Sequence, residues 1–208
     1  MQPWSQPLLW VGAGGYTSTT TWNPADASVS ISLSGGNLIA TAGATGDMAV
    51  RATNFYSSGK HYFEVTIGST YAGGDTGPGI MTFAAARDTF GQNATGGVIV
   101  YPAGAIYYNG SPAGLNIGAQ SAGNIIGVAV DLTNMKIWYR LQTGSWNGSG
   151  TDNPATNTGG LSISTVFGSA AAYPVQAFGP SASGSTSTVN FGATPFVNGP
   201  PSGFTSWC

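Results

Sequence analysis

His61 is the only histidine of this chain and Cys208 its only cysteine. Beside them stand seven carboxylates: Asp26, Asp47, Glu64, Asp75, Asp88, Asp131 and Asp152. A Ser-His-Asp relay would have to use His61, yet that residue lies in an alternating segment next to Lys60, and no nucleophile elbow occurs in the chain. One cysteine and one histidine cannot make a structural zinc site or an intrachain disulfide. Glycoside hydrolysis needs two carboxyls flanking the scissile bond. Of the seven, only Glu64 falls mid-strand, and it is expected to be paired or hydrogen-bonded in its sheet near Lys60. Asp131 is expected to close a hairpin turn through its side chain. Gly12-Ala13-Gly14-Gly15 and Gly77-Pro78-Gly79 lack the strand-to-helix setting and the lysine of a phosphate loop. Asp75 and Asp152 lie in loops rich in the oxygen ligands that calcium takes, but at one acid per loop. The expectation is therefore no catalytic residues, no metal and no cofactor.

Aromatic rings in loops carry the stronger signal. Tyr71, Tyr101 and Trp146 sit among Gly, Ser, Asn and Thr, with Asp75 and Asn147 close by. Rings flanked by small polar groups stack on a sugar or protein face while their neighbours hydrogen-bond. These five are the candidate ligand-binding residues. For Trp146 a second reading stays open, in which the indole folds back over a sheet edge.

The elements that must position these groups are strands. Helical periodicity is almost absent, and short β-branched and aromatic runs alternate with Gly, Pro, Ser and Asn about every ten residues. Ser28 to Leu33 reads as a strand with Val29, Ile31 and Leu33 inward, turned by Ser34-Gly35-Gly36-Asn37. Lys60 to Ile67 is the clearest, with His61, Phe63, Val65 and Ile67 on one face. Gly79 to Ala86, Val98 to Tyr101 and Ala105 to Tyr108 follow. Asn124 to Asp131 and Met135 to Leu141 form a hairpin in which Ile126, Val128 and Val130 face Ile137, Tyr139 and Leu141. Trp22, Trp138 and Phe191 read as core. About eleven strands with short connections predict an all-β fold of two packed antiparallel sheets. Gly68 to Gly77 and Thr143 to Gly160 read as long loops, where binding surfaces usually sit.

Charge is scarce. Five basic and seven acidic residues make 6% of the chain, against roughly 25% for an ordinary soluble domain. Spread over the roughly 9,000 Å² that size scaling gives, that is about one charge per 750 Å². So neutral a surface suits a protein held in an assembly or working outside a cell. Arg51, Lys60, Arg87, Lys136 and Arg140 are dispersed, which argues against nucleic acid. No cationic amphipathic stretch or membrane span is visible. There is no Lys or Arg before Arg51, and Pro7-Leu8-Leu9-Trp10-Val11 is too short for a signal-peptide core. Residues 1–21 instead read as an apolar extended arm ahead of a sandwich over 22–208. Trp4, Leu8, Leu9 and Trp10 are too apolar to leave in water, so the arm either wraps its own domain or docks on a neighbouring subunit; docking is the expectation, because an apolar arm on a neutral surface suits an assembling protein.

Several stretches resemble one family. Ser58-Gly59-Lys60-His61-Tyr62-Phe63-Glu64-Val65 resembles the signature strand of SPRY domains, the concanavalin-like sandwiches also known from B30.2 proteins. Ile106 to Gly110 resembles that family's Tyr-Asn-Gly turn, Asn124 to Tyr139 its Ile-Gly-Val hairpin, and Val189 to Phe204 its closing Asn-Phe-Gly segment. Gly123-Asn124 departs from the Gly-Asp common there. More narrowly, Thr21-Trp22-Asn23-Pro24-Ala25-Asp26, Gly144 to Gly148 and Asp152 to Thr156 look like the SPRY-type modules of tailed bacteriophages and prophages. The likeness runs from Trp22 to Trp207, with its motifs in the expected order.

The resemblance implies a binding module without chemistry, in an oligomeric virion whose partners are other virion proteins and a host-surface glycan or protein. Three functions compete: attachment to a host envelope, as in tail fibres; decoration of a capsid or tail with no soluble ligand; and, least supported, degradation of cell-wall glycan.

Overall fold

Alternation of period two gives each segment one apolar face, and two such faces bury one another. The computed structural model describes residues 20–71 and 74–208. Its strands are β1 (Trp22–Ala27), β2 (Ile31–Ser34), β3 (Ile39–Ala42), β4 (Met48–Ala52), β5 (Lys60–Ile67), β6 (Gly77–Met81), β7 (Gly97–Val100), β8 (Ala105–Tyr108), β9 (Ser111–Asn116), β10 (Ile125–Asp131), β11 (Lys136–Leu141), β12 (Leu161–Ser162), β13 (Tyr173–Phe178), β14 (Thr186–Asn190) and β15 (Thr205–Ser206). One sheet has the order β1-β4-β13-β6-β7-β8-β9, and the other β12-β11-β10-β5-β14-β3-β2. Pairing is antiparallel except where β15 joins β5. The chain is an all-β antiparallel sandwich, as the alternation predicts.

Between the sheets lie Trp22, Phe63, Val65, Val98, Ile126, Val128, Tyr139, Phe178 and Phe191, all essentially buried. Each such side chain stabilises the fold by about 1.5–3 kcal/mol. Trp22 meets Phe191 edge to face with centroids 5.2 Å apart. The expected hairpin forms in the expected register: Ile126 opposite Leu141, Val128 opposite Tyr139, Val130 opposite Ile137. Its turn closes as expected too, with the Thr133 and Asn134 amides donating to Asp131 at 3.1 and 2.9 Å.

Some expectations need correction. Val29 lies outside the sheet, fully exposed, because Ser28 and Ile31 close a turn around it (the Ile31 amide donates to the Ser28 carbonyl at 2.9 Å). The strand expected over Gly79–Ala86 ends at Met81. Strands β1 and β9 and the two-residue β12 and β15 bring the described total above eleven. Just ahead of β1 the Thr21 amide donates to the Thr53 hydroxyl at 3.1 Å, and buried Thr20 accepts from Asn54 at 2.8 Å.

Each sheet has an outer face, and each is partly roofed. On the β5–β10–β11 sheet, Tyr62, Ala129, Trp138 and Phe204 form a separate cluster under the C-terminal segment. A Cβ at Gly127 would stand 2.6 Å from the Tyr62 hydroxyl, so only glycine leaves that ring room to reach Glu64 at 2.9 Å. On the other sheet, Ala49, Met81, Ile99, Tyr101, Val175 and Ala177 are covered by Phe90 of a short helical turn, Phe90–Asn93, and by Ala94 just after it. That roof stops short of the outward residues Arg51 on β4 and Tyr173 on β13.

Candidate binding surface

Arg51 faces outward from β4, since its neighbours Val50 and Ala52 point into the core. It is nonetheless 5% exposed. Its guanidinium forks onto Asp26, with Nε and Nη2 donating at 2.5 and 2.9 Å. Nη1 donates to the carbonyls of Thr82 and Phe83 at 3.1 and 2.7 Å. A planar fork of donors suits both acceptors at once, which an ammonium could not match. Arg51 thereby fixes the chain just past β6 and turns the Phe83 ring out to 70% exposure.

Three rings gather over this cation. Tyr173 lies 4.8 Å from Phe55 and 6.0 Å from Phe83. The Arg51 guanidinium is 4.7 Å from the Phe83 centroid and 5.8 Å from that of Tyr173. Phe55 is 52% exposed. The result is an open aromatic platform on a buried, internally neutralised cation. At its margin Arg87 approaches Asp26 and Asp88 at 3.4 Å. The hydrogen bond from Ser28, against the cost of burial and aided by Arg87, holds the Asp88 carboxyl below its ordinary range. Thr82, Ala84 to Ala86, Thr89, Phe90, Thr95, Gly96 and Asn109 also line a depression of about 490 Å³.

The five loop candidates fall elsewhere. Register places the loops after β5 and β11 at one end of their sheet, because Ile125 pairs with Thr66 and Ile126 with Leu141. Their side chains, however, turn inward. Tyr71 packs half-buried against the main core, and burial pushes its phenol far above the ordinary value, with buried Gln176 beside it. Tyr101 is buried, stacked on Tyr107 at 4.3 Å, and donates to the Gly91 carbonyl at 3.0 Å.

Trp146 is half-buried against the Tyr62, Trp138 and Phe204 cluster, with the Arg140 guanidinium 4.5 Å from its ring. Asn147 is 3% exposed, at φ +51°. Its carbonyl oxygen accepts from the Tyr139 amide and its amide donates to Asp152, both at 2.9 Å. It braces the loop rather than facing solvent.

Asp75 stands near Asp47. Burial raises both carboxyls, and the Asp75 charge raises Asp47 further. Glu64 is hydrogen-bonded as expected, but by the Val197 and Asn198 amides at 2.8 and 2.9 Å, while Lys60 pairs with Asp131 at 3.4 Å. Trp4, Leu8, Leu9 and Trp10 lie outside the described residues. Among the described residues no three His, Cys, Asp or Glu side chains converge on a point, and no helix is long and apolar enough to cross a membrane.

No family model and no curated protein matches this chain. Solved structures do. The SPRY domain of human HERC1 superposes with a TM-score of 0.63 at 18% identity, covering 81% of this chain and 96% of that one. The fold is the SPRY fold. The PSpry domain of TRIM65 also matches, with a TM-score of 0.54 at 15% identity over 82% of this chain and 91% of its own. Within this SPRY-like sandwich the platform grows from β1, β4 and β13 and from the segments that follow β4 and β6. Sequence reasoning missed it. Phe55 and Phe83 are of core type, and Phe83 falls within the strand expected over Gly79–Ala86.

Proposed function

We propose that this chain is a non-catalytic binding module that takes its partner on the Phe55–Tyr173–Phe83 platform. The observation that carries the reading is that large rings stand exposed over a rigid, fully bonded support. Clustered aromatics held by packing are what dominate binding energy at interfaces, because they lose little entropy when covered. The low charge of the chain and its likeness to phage modules at Thr21–Asp26 and Gly144–Thr156 support a place on a tailed-phage virion. There it would attach the particle to a host-surface glycan or protein.

A second reading, decoration or bridging within the particle, draws on the same platform and on the apolar residues before Thr20. Glycan degradation has least support. Asp26 is engaged by Arg51, Glu64 by backbone amides, Asp88 by Ser28 and Arg87, and Asp131 and Asp152 by their own turns. Only Asp47 and Asp75 remain as neighbouring acids.

The test is whether the purified protein binds susceptible bacteria and blocks phage adsorption. Phe55→Ala with Phe83→Ala should weaken that at least tenfold, on the order of the loss from aromatic anchors. Wild-type protein that neither binds cells nor blocks adsorption, yet localises to head or tail tube by immunogold microscopy, would favour decoration. Turnover of host polysaccharide, lost in Asp47→Asn, would establish the enzyme instead.

A further inference from the structure

We infer that the partner of this platform is an uncharged oligosaccharide, with one sugar unit stacked on the exposed ring of Phe83 and the next units bonded in the depression beside it. This assignment rests on the platform being the binding surface, as proposed, and supplies the ligand class. Phe83 stands between two surfaces. Its ring belongs to the platform, while Thr82 and Ala84 on either side of it line the depression of about 490 Å³. That volume is within the range of small-ligand sites.

The lining suits a neutral, hydroxyl-bearing ligand. No charged side chain lines the depression, and its outer polar groups are Thr89, Thr95 and Asn109, all exposed. The Asn109 carbonyl oxygen accepts from the Gly96 amide at 3.1 Å. Among the described residues nothing meets its Nδ2 or the hydroxyls of Thr89 and Thr95. These groups are free to exchange hydrogen bonds with a sugar whose C–H face covers a ring. Charges near the rings are already balanced, with Arg51 on Asp26 and Arg87 beside Asp26 and Asp88. An ionic ligand finds no spare counter-charge there. A peptide fits less well, because β4 and β13 beneath the rings are each paired on both sides and offer an extended chain no edge to join.

The site is built before a ligand arrives. Arg51 holds the Thr82 and Phe83 carbonyls from one side. From the other, the Thr82 amide donates to the Gly96 carbonyl at 3.0 Å. Gly96 sits at φ +80°, and a Cβ there would stand 2.8 Å from that of Ala85, so only glycine lets these two walls meet. Groups fixed in this way lose little entropy when a ligand binds them.

The experiment measures binding of the full chain to susceptible bacteria treated with periodate, which cleaves sugar diols, or with protease, at low salt and at roughly 0.5 M salt. In parallel, amide NMR shifts are followed as neutral, lipid-free polysaccharide fragments from the same bacteria are added. Periodate is expected to abolish cell binding, protease and salt to leave it unchanged, and the fragments to shift the amides of Phe83, Thr95 and Asn109. Thr89→Val with Thr95→Val, which keeps the side-chain shape, should weaken fragment binding at least about fivefold. Cell binding lost to protease but not to periodate, or lost in salt, overturns the sugar. Fragment binding unchanged in the threonine pair overturns the role of the depression. Shifts in a protein that binds no cells uphold the ligand class and remove the attachment role. Cell binding that needs Phe55 and Phe83, without shifts, keeps the platform and overturns the sugar. Neither cell binding nor shifts removes both.

Discussion

Arg51 grips Phe83 twice: its Nη1 donates to the Phe83 carbonyl at 2.7 Å while its guanidinium lies 4.7 Å from that residue's ring. Backbone and side chain of one residue are thus oriented by one cation, itself held by Asp26. The exposed ring is fixed in place before any partner arrives.

Removing this support should be costly. Arg51→Ala is expected to destabilise by about 3–5 kcal/mol, since it leaves the Asp26 carboxylate and two carbonyls without their donor. Phe83→Ala should cost less than about 1 kcal/mol, because most of that ring is in water already. Urea unfolding of both variants checks the contrast. Equal losses would mean that Phe83 is a core residue.

How far the architecture could be read in advance differs between elements for physical reasons. The β10–β11 hairpin was legible because both strands alternate strictly and are buried on one face, so a single register satisfies the pattern. Val29 was misplaced because alternation through Ser28-Val29-Ser30 looks the same in a turn as in a strand. Tyr101, Trp146 and Asn147 looked exposed because their neighbours are small and polar, yet the chain folds back within five or six residues so that Tyr107, Arg140 and Asp152 engage them. Phe55 and Phe83 carry no local mark of exposure. Only the position of Arg51, Asp26 and Tyr173 in three dimensions leaves them outside.

The loop after β11 should prove to be a brace. Asn147→Ala is expected to cost about 2–4 kcal/mol, the sum of two buried hydrogen bonds and a left-handed backbone position that alanine resists. Thermal or urea unfolding measures this. Binding to cells, expressed per folded molecule, should not change. A stable variant with impaired binding would return Asn147 to the ligand candidates.

Acid response should differ in sign between two carboxyls. Burial would raise Asp131, but the Asn134 hydrogen bonds and the nearby Lys60 outweigh it and hold the carboxyl below its ordinary value. Its folded-state value lies below its unfolded one. Its contribution is thus complete above the ordinary carboxylate range and lost as pH falls through the depressed value.

Asp47 behaves oppositely. Its carboxyl is raised by burial and by Asp75, so the folded chain loses stability as pH rises from the ordinary value through the raised one. Asp47→Asn should remove that slope and stabilise the protein at pH 7. Unfolding curves between pH 2 and 7 test both. An Asp47→Asn variant less stable at neutral pH would contradict the assignment.

The most direct test sets the two surfaces against each other. Affinity for susceptible cells is measured for the wild-type protein, for Phe55→Ala with Phe83→Ala, and for Tyr71→Ala with Trp146→Ala, each normalised to its folded fraction. The platform pair is expected to lose at least tenfold, about 1.4 kcal/mol or more, and the loop pair to lose little once corrected for folding. Intact binding in the platform pair, with loss confined to the loop pair, would contradict the account.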